Sequence, residues 1–421
     1  MNASTEPSVR TERQVRWVGP LDTASPTLGL PVLDNLRKVT LYRAADHPDH
    51  FSHHAYLAVC EGVLFAMWST HLRDEDGSGQ RVSVSRSHDN GRTWTPAETL
   101  FPPLDEVRVR AEQDDWKDLV LLANGSALVD GTLYAVAEAH VLGSGAELSP
   151  PDGIPRSEDA VRHTFESRPG VGRLARAIST DGTMGPIFWL VDDPPPAVEG
   201  FPTYPGAANP AHAATARAVN EVLAQPEHWP SWEFVQQRTR PWARDGHKLC
   251  EPTQSWRLPD GTRARIWRDL SHGSDREYVQ FESGDGPTDA DGWQLPERCD
   301  FPDAYSRSAT GNLPDGTAYL INNPGKGRDP LVLSLARDGL TFDRHAVLCC
   351  GAPPVQFEGV AKGPGFQYPH ALVHDGMLHV LYSIGKEDME LTGIPLERLQ
   401  DELCVTPSPL IRSPRHERPR R

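Results

Sequence analysis

Ser87-His88-Asp89-Asn90-Gly91-Arg92-Thr93-Trp94 comes directly after Gln80-Arg81-Val82-Ser83-Val84-Ser85, a run with the two-residue period of a half-buried strand. The octet reads as a turn closing a hairpin. A short carboxylate at Asp89 satisfies loop N–H groups, Gly91 permits positive φ, and Trp94 buries beneath the hairpin. Those are the tasks of a brace, so Asp89 is structural and not a catalyst.

The same grammar of apolar strand, turn ending in glycine and second apolar strand recurs along the chain. Its first instance is Tyr56-Leu57-Ala58-Val59-Cys60-Glu61-Gly62-Val63-Leu64-Phe65-Ala66-Met67-Trp68. The others turn at Asp130-Gly131, Asp260-Gly261, Asp315-Gly316 and Asp375-Gly376, and Leu-Pro-Asp-Gly-Thr is used twice. These turns lie roughly 60 residues apart, with one interval about twice as long, the signature of a radial array of hairpin-built sheets. Ser179-Thr180-Asp181-Gly182 and Ser334 to Phe342 are degenerate versions of the octet. The pattern predicts an all-β, six-bladed β-propeller with a loop and helix insertion, seven blades being the alternative.

A propeller is one domain whose blades share a core, so 421 residues need no boundary. Residues 1–30 read as an irregular N-terminal segment, 31–400 as the propeller, and 401–421 as a basic, Pro-rich tail. An insertion is expected at about 143–245, where Pro, Gly and acidic residues crowd Gly143 to Gly172 and Pro194 to Pro210. Within it, Leu174 to Ile178 reads as an outer strand and Ala211 to Gln225 as an alanine-rich helix, either a lid over the propeller face or a packed insertion.

The net charge of −16 argues against nucleic acid, whose phosphates it repels, and requires any acidic ligand to meet a local basic pocket. The six cysteines show no metal spacing and the adjacent pair Cys349-Cys350 suits no disulfide, so free thiols are expected. Met1 to Gly19 lacks an apolar core, which points away from a secretory signal or membrane anchor and toward the cytoplasm.

Ser-x-Asp-x-Gly-x-Thr-Trp is similar to the Asp box of sialidase-like β-propellers, and three further segments between Tyr42 and Ser383 carry the resemblance to bacterial exo-sialidases. Glu251-Pro252-Thr253-Gln254-Ser255-Trp256, with its partner Ile266-Trp267-Arg268, resembles the hairpin that gives that family a glutamate tuning the nucleophile and an arginine gripping the substrate carboxylate. The resemblance thus implies those roles for Glu251 and Arg268. Gly365-Phe366-Gln367-Tyr368-Pro369-His370 looks like the strand of the tyrosine nucleophile, which implies Tyr368. Asp74-Glu75-Asp76 lies where sialidases place an acid/base aspartate, Asp76 matching first and Asp74 second. Arg307, beside Tyr305, is a looser match to a further clamp arginine. One departure is plain: the family opens its first blade with Arg-Ile-Pro, and this chain has Ser52-His53-His54 there.

The resemblance implies hydrolysis of a terminal acidic sugar on a small oligosaccharide. A phenol whose proton passes to a carboxylate attacks the anomeric carbon, and an aspartic acid protonates the leaving oxygen. Arg268 and Arg307 offer planar forks to a carboxylate, while Tyr305 and Trp68, with Trp256 and Trp267, offer faces for sugar rings. His53, His54 and His370 bring groups that titrate near neutral pH. Strand alternation predicts that only one of His53 and His54 faces the site, and that His370 shares a face with Tyr368. No cofactor is expected, and no metal, because His47-x-x-His50-x-x-His53-His54 does not preset ligand geometry. Two other classes stay open: a uronate lyase working by β-elimination with His53, His370, Tyr368 and Arg268, and a non-catalytic carbohydrate-binding propeller.

Overall fold

A computed structural model describes residues 13–77, 79–110, 116–141, 170–192, 204–225, 243–247, 249–250, 252–269, 275–282, 287–289 and 292–401. Most of the expected insertion and the C-terminal tail lie outside them.

Among the described residues there are five antiparallel sheets of blade type. Sheet 1 runs outward from Phe51–Cys60 through Val63–His71 and Arg81–Ser87 to Glu98–Phe101. Sheet 2 runs from Trp116–Val129 through Thr132–Val141 and Gly170–Ile178 to Phe188–Trp189, with Leu104–Arg110 added inside. In sheet 3 the innermost row is split: Leu249–Cys250 and Trp256–Arg257 both pair with Arg263–Asp269, followed by Arg276–Phe281 and Glu297–Pro302. Sheet 4 is Ala309–Asn312, Ala318–Asn322, Leu331–Ala336 and Arg344–Cys349. Sheet 5 begins with Phe366–His374, Met377–Ile384 and Asp388–Pro395, and its outer strand is Arg37–Tyr42 from the start of the chain. An early strand and a late strand of the chain are therefore hydrogen-bonded in one sheet, beside sheet 1.

Turn chemistry explains the hairpins. Glu61-Gly62, Asp130-Gly131 and Asp375-Gly376 have both residues at positive φ, the mirror-image turn whose twist matches paired strands. Asp260-Gly261 and Asp315-Gly316 differ: only the glycine is left-handed, and the carboxylate accepts the N–H two residues on, from Thr262 and Thr317, each at 2.9 Å. In the Ser87–Trp94 turn, Asp89 Oδ1 accepts from Ser87 Oγ at 2.8 Å and from the N–H groups of Arg92 and Thr93 at 3.0 and 2.8 Å. Its Oδ2 accepts from Thr93 Oγ1 at 2.6 Å. Burial would raise the Asp89 carboxyl, but these donors outweigh it and push it down to about 2.

Side-chain alternation builds cores between neighbouring sheets. Phe65, Met67 and Val84 of sheet 1 meet Leu121, Ala137 and Leu174 of sheet 2. Ile266, Val279 and Phe301 of sheet 3 meet Leu320 and Ala336 of sheet 4, and Ile321 and Leu333 of sheet 4 meet Val380 and Tyr382 of sheet 5. Leu57 and Trp68 of sheet 1 meet Leu381 and Leu391 of sheet 5. The expected helix forms at Ala213–Leu223 and packs Ala216, Val219 and Leu223 against Phe188 and Leu190 on the face of sheet 2 turned away from sheet 1. It is a packed insertion, not a lid. The N-terminal segment is irregular yet docked, with Arg16–Trp17 pairing parallel to Thr341–Phe342 and Val15 in the core of sheets 3 and 4.

Candidate active site

Two bulges shape the centre. In sheet 1, His53 lies opposite Ser69 but Tyr56 lies opposite Met67, so the inner strand carries one extra residue, and His54 sits at φ 57°. In sheet 5, Gln367 lies opposite Ser383 and His370 opposite Leu381, again one residue in excess, with Tyr368 at φ 52°. Tyr305, Arg328 and Lys386 are left-handed as well, at 60°, 60° and 61°. Such backbone costs about 1–3 kcal/mol per residue and survives where the surroundings enforce it, commonly at functional sites.

The bulges overturn the alternation argument. Both His53 and His54 approach Tyr368, with ring centroids 4.2 and 5.8 Å from its ring and 4.6 Å from each other. His370 is turned away: its Nδ1 accepts the Leu57 N–H at 3.1 Å beside the Tyr56 ring, where burial and Arg307 press its pKa down to about 3. It is a neutral strut between sheets 5 and 1, not a second imidazole at the phenol.

Three guanidinium groups surround the Tyr368 ring. Arg268 Nη1 donates to Tyr368 Oη at 2.7 Å, its guanidinium lying 4.1 Å from the Tyr305 ring centroid. Arg307 and Arg328 lie 5.6 and 5.2 Å from the Tyr368 ring centroid. Arg307 is fully buried and also stacks over Tyr56 at 4.7 Å. Arg328, absent from the sequence reading, donates to Gln367 Oε1 at 2.6 Å and to the Tyr305 carbonyl at 3.4 Å. In the sequence it is one cation in Pro324-Gly325-Lys326-Gly327-Arg328-Asp329-Pro330, a segment indistinguishable from a solvated loop.

Beneath Arg268 are two buried carboxyls that the sequence reading also missed. Burial and the neighbouring Asp303 push Glu277 well above the usual carboxylate range, and Glu277 Oε1 accepts from Ser308 Oγ at 2.5 Å. Burial raises Asp303 to about 6 against the opposing pull of backbone donors and Arg268.

Of the acidic run 74–76, the middle residue joins the histidines. Glu75 Oε1 is 3.0 Å from His54 Nε2, and Glu75 Oε2 accepts from Lys386 Nζ in the turn of sheet 5. Burial would raise Glu75, but Lys386 and His54 hold it well below its ordinary value. Burial lowers both His53 and His54, for His54 against the opposing pull of Glu75, and so favours the neutral imidazole at each. Asp76, also buried, binds its own N–H to Gln80 Oε1 at 2.7 Å. Asp74 accepts from the N–H groups of Val360 and Ala361, bracing one loop on another.

Glu251 lies outside the described residues; its neighbour Cys250 pairs in register with Arg268. Trp68 is corrected: fully buried in the core between sheets 1 and 5, 5.9 Å from the Tyr42 ring, it offers no face to a ligand. Trp256 and Trp267 are buried likewise, whereas Tyr305, under the Arg268 guanidinium, is half-buried. His53, His54 and Glu75 offer ligand atoms within 4.8 Å of one another, but the Lys386 ammonium already neutralises Glu75, and Arg307 and Arg328 add positive charge that a metal ion would have to overcome.

The BNR repeat-like domain family matches residues 215–380. A solved sialidase superposes with a TM-score of 0.68 at 22% identity, over 91% of this chain and 35% of that one. The chain thus has a sialidase-like fold, and residues 215–380 within it are similar to the BNR repeat-like domain. The Hadza microbial sialidase Hz136 shares the fold at a TM-score of 0.53 and 15% identity, over 86% of this chain and 68% of that one. No curated protein matches in sequence. This sialidase-like chain spans about a third of the length of the first sialidase. Among its described residues, Cys60, Cys299, Cys349 and Cys350 are free thiols, and no helix is long and apolar enough to cross a membrane.

Proposed function

We propose that the chain is a sialidase-like glycoside hydrolase, built on a six-bladed propeller, that removes a terminal acidic sugar from a small oligosaccharide. The single observation that supports this reading is Tyr368 ringed by Arg268, Arg307 and Arg328 with Arg268 bonded to its hydroxyl. Three cations around one phenol favour a phenolate-like nucleophile and attract a carboxylate substrate. In the proposed reaction Tyr368 Oη bonds to the anomeric carbon as the glycosidic C–O bond breaks. Glu251 takes the phenolic proton and Asp76 gives one to the leaving oxygen; water then releases the sugar. The site is proposed to act in the cytoplasm on a soluble substrate, not on nucleic acid or membrane.

The test is initial-rate hydrolysis of 4-methylumbelliferyl glycosides of N-acetylneuraminic acid and glucuronic acid by the protein and by Tyr368→Phe. Release of fluorophore that the variant abolishes supports the reading; an unchanged rate in the variant refutes it. A second reading, β-elimination on a uronate, draws support from neutral His53 against Tyr368 at 4.2 Å. It predicts an unsaturated product absorbing at about 235 nm, where hydrolysis gives no signal.

A further inference from the structure

His53 and His54, side by side at the bulge of sheet 1, are not equivalent. His54 is held at both ring nitrogens, Nδ1 by Ser69 Oγ at 3.0 Å and Nε2 by Glu75 at 3.0 Å. Ser69 Oγ also accepts the Ala123 N–H at 3.0 Å, so His54 belongs to a fixed lattice linking sheets 1 and 2. His53 is held at one. Its Nδ1 lies 2.7 Å from Ser383 Oγ, while its Nε2, in a ring with no exposed surface, has no partner.

Either tautomer of His53 fits its 2.7 Å contact with Ser383, and the second contact of Ser383 favours one of them. Ser383 has one hydroxyl hydrogen, which it gives to the Gln367 carbonyl at 3.4 Å. With its hydrogen on that carbonyl, Ser383 Oγ accepts from His53, the arrangement in which the imidazole proton is on Nδ1 and a lone pair is on Nε2. Nearby Lys386 and Arg328 disfavour a second proton on the ring, as does its burial. A buried acceptor without a donor is costly and calls for an explanation in terms of what it binds. Here the ring sits against Tyr368, around which the arginines gather.

We infer that His53 Nε2 is a specificity-determining acceptor that receives a hydroxyl or amide N–H of an acidic sugar whose carboxylate lies on the arginines. The inference rests on the reading of this pocket as an acidic-sugar site. Its ligand therefore needs a hydrogen-bond donor on the ring as well as an acid group. A carboxylate without ring donors satisfies Arg268 and leaves His53 bare.

The experiment is calorimetric titration of the full chain and its variants with three probes: D-glucuronate, N-acetylneuraminate and tetrahydropyran-2-carboxylate, a ring acid with no hydroxyl. His53→Phe is expected to weaken the better-bound sugar acid about tenfold and leave tetrahydropyran-2-carboxylate within about twofold, the size of one neutral hydrogen bond. His53→Gln, which restores an acceptor oxygen, should recover most of that loss. Should His53→Phe not fold, Ser383→Ala reads the same point by removing the group that fixes the ring proton, and should weaken the sugar acids severalfold. Arg268→Ala should weaken all three probes.

Equal sugar-acid affinity in His53→Phe and the parent, or in Ser383→Ala where that variant stands in, overturns the inference while Arg268→Ala still upholds the pocket. Tetrahydropyran-2-carboxylate binding as well as both sugar acids in the parent also overturns it. If Arg268→Ala changes no affinity, the pocket reading itself fails and takes the His53 assignment with it.

Discussion

Glu75 joins sheet 1 to sheet 5 by holding His54 Nε2 at 3.0 Å through one oxygen and Lys386 through the other, all three side chains being buried. Removing one partner of a buried pair strands the other charge, which costs about 3–5 kcal/mol. Glu75→Ala should therefore lower unfolding free energy by about that amount in a denaturant titration. The double variant Glu75→Leu with Lys386→Met should be milder than Glu75→Ala, because no lone charge remains. A double variant as damaged as the single one would show that His54 positioning, not charge balance, dominates.

The turns were legible in the sequence because their cause is local: Gly62, Gly131 and Gly376 supply the positive φ that each hairpin needs, whatever lies around it. Tyr368, Arg268, Arg307 and His53, singled out from separated stretches of the sequence, lie together in the fold. What was misread follows from the bulges. One extra residue in each inner strand brings both His53 and His54 to the phenol and sends His370 to the other side, reversing a period-two argument. Arg328 and Lys386 could not be singled out because a loop cation that folds inward has the same sequence as one left in water. Trp68 shows the converse, a residue suited to sugar stacking that the sheet 1 and sheet 5 interface absorbs as core.

Trp68→Ala should cost stability without touching the pocket. Deleting a fully buried indole costs about 3–5 kcal/mol in comparable cores. Denaturant midpoints should fall accordingly, while the affinity of the folded variant for D-glucuronate or N-acetylneuraminate stays within about twofold of the parent. A selective loss of sugar affinity at unchanged stability would return Trp68 to the site.

Arg268→Lys keeps a positive charge but loses the fork that can hold Tyr368 Oη and a carboxylate together. Steady-state rates on the 4-methylumbelliferyl glycoside that the parent cleaves should show KM raised about tenfold and kcat reduced, because the phenol loses its donor. Unchanged KM and kcat would place the carboxylate grip on other residues.

Asp89→Ala removes the acceptor for Ser87, Arg92 and Thr93 at once. The turn then has N–H groups that only water can satisfy, and a loss of about 2 kcal/mol is expected. Since the brace lies apart from Tyr368, thermal unfolding should shift downward while Michaelis parameters of the folded fraction hold. A change in KM at constant stability would mean that the turn transmits to the pocket.

Stability should fall on acidification below neutrality. Burial presses His345 to about 4, His379 to about 4 and His370 to about 3, and lowers His53 and His54 too, from an ordinary value of 6.5. A histidine with a depressed folded pKa contributes stability that is full above 6.5 and drains away as pH falls toward its folded value, because the unfolded chain takes up a proton that the folded chain refuses. Each such group costs about 1.4 kcal/mol per pH unit in that window. Asp303, raised to about 6, and Glu277, Asp74 and Asp388, each raised by burial, act in the opposite sense, gaining stability as they protonate, but these four carboxyls are fewer than the five histidines. Denaturant midpoints should therefore drop from pH 7 to pH 5. His345→Gln, which removes one of the refusing groups from its place against Trp17, should flatten that slope by about one proton. A midpoint that rises over the same range would mean that these rings are protonated in the folded protein.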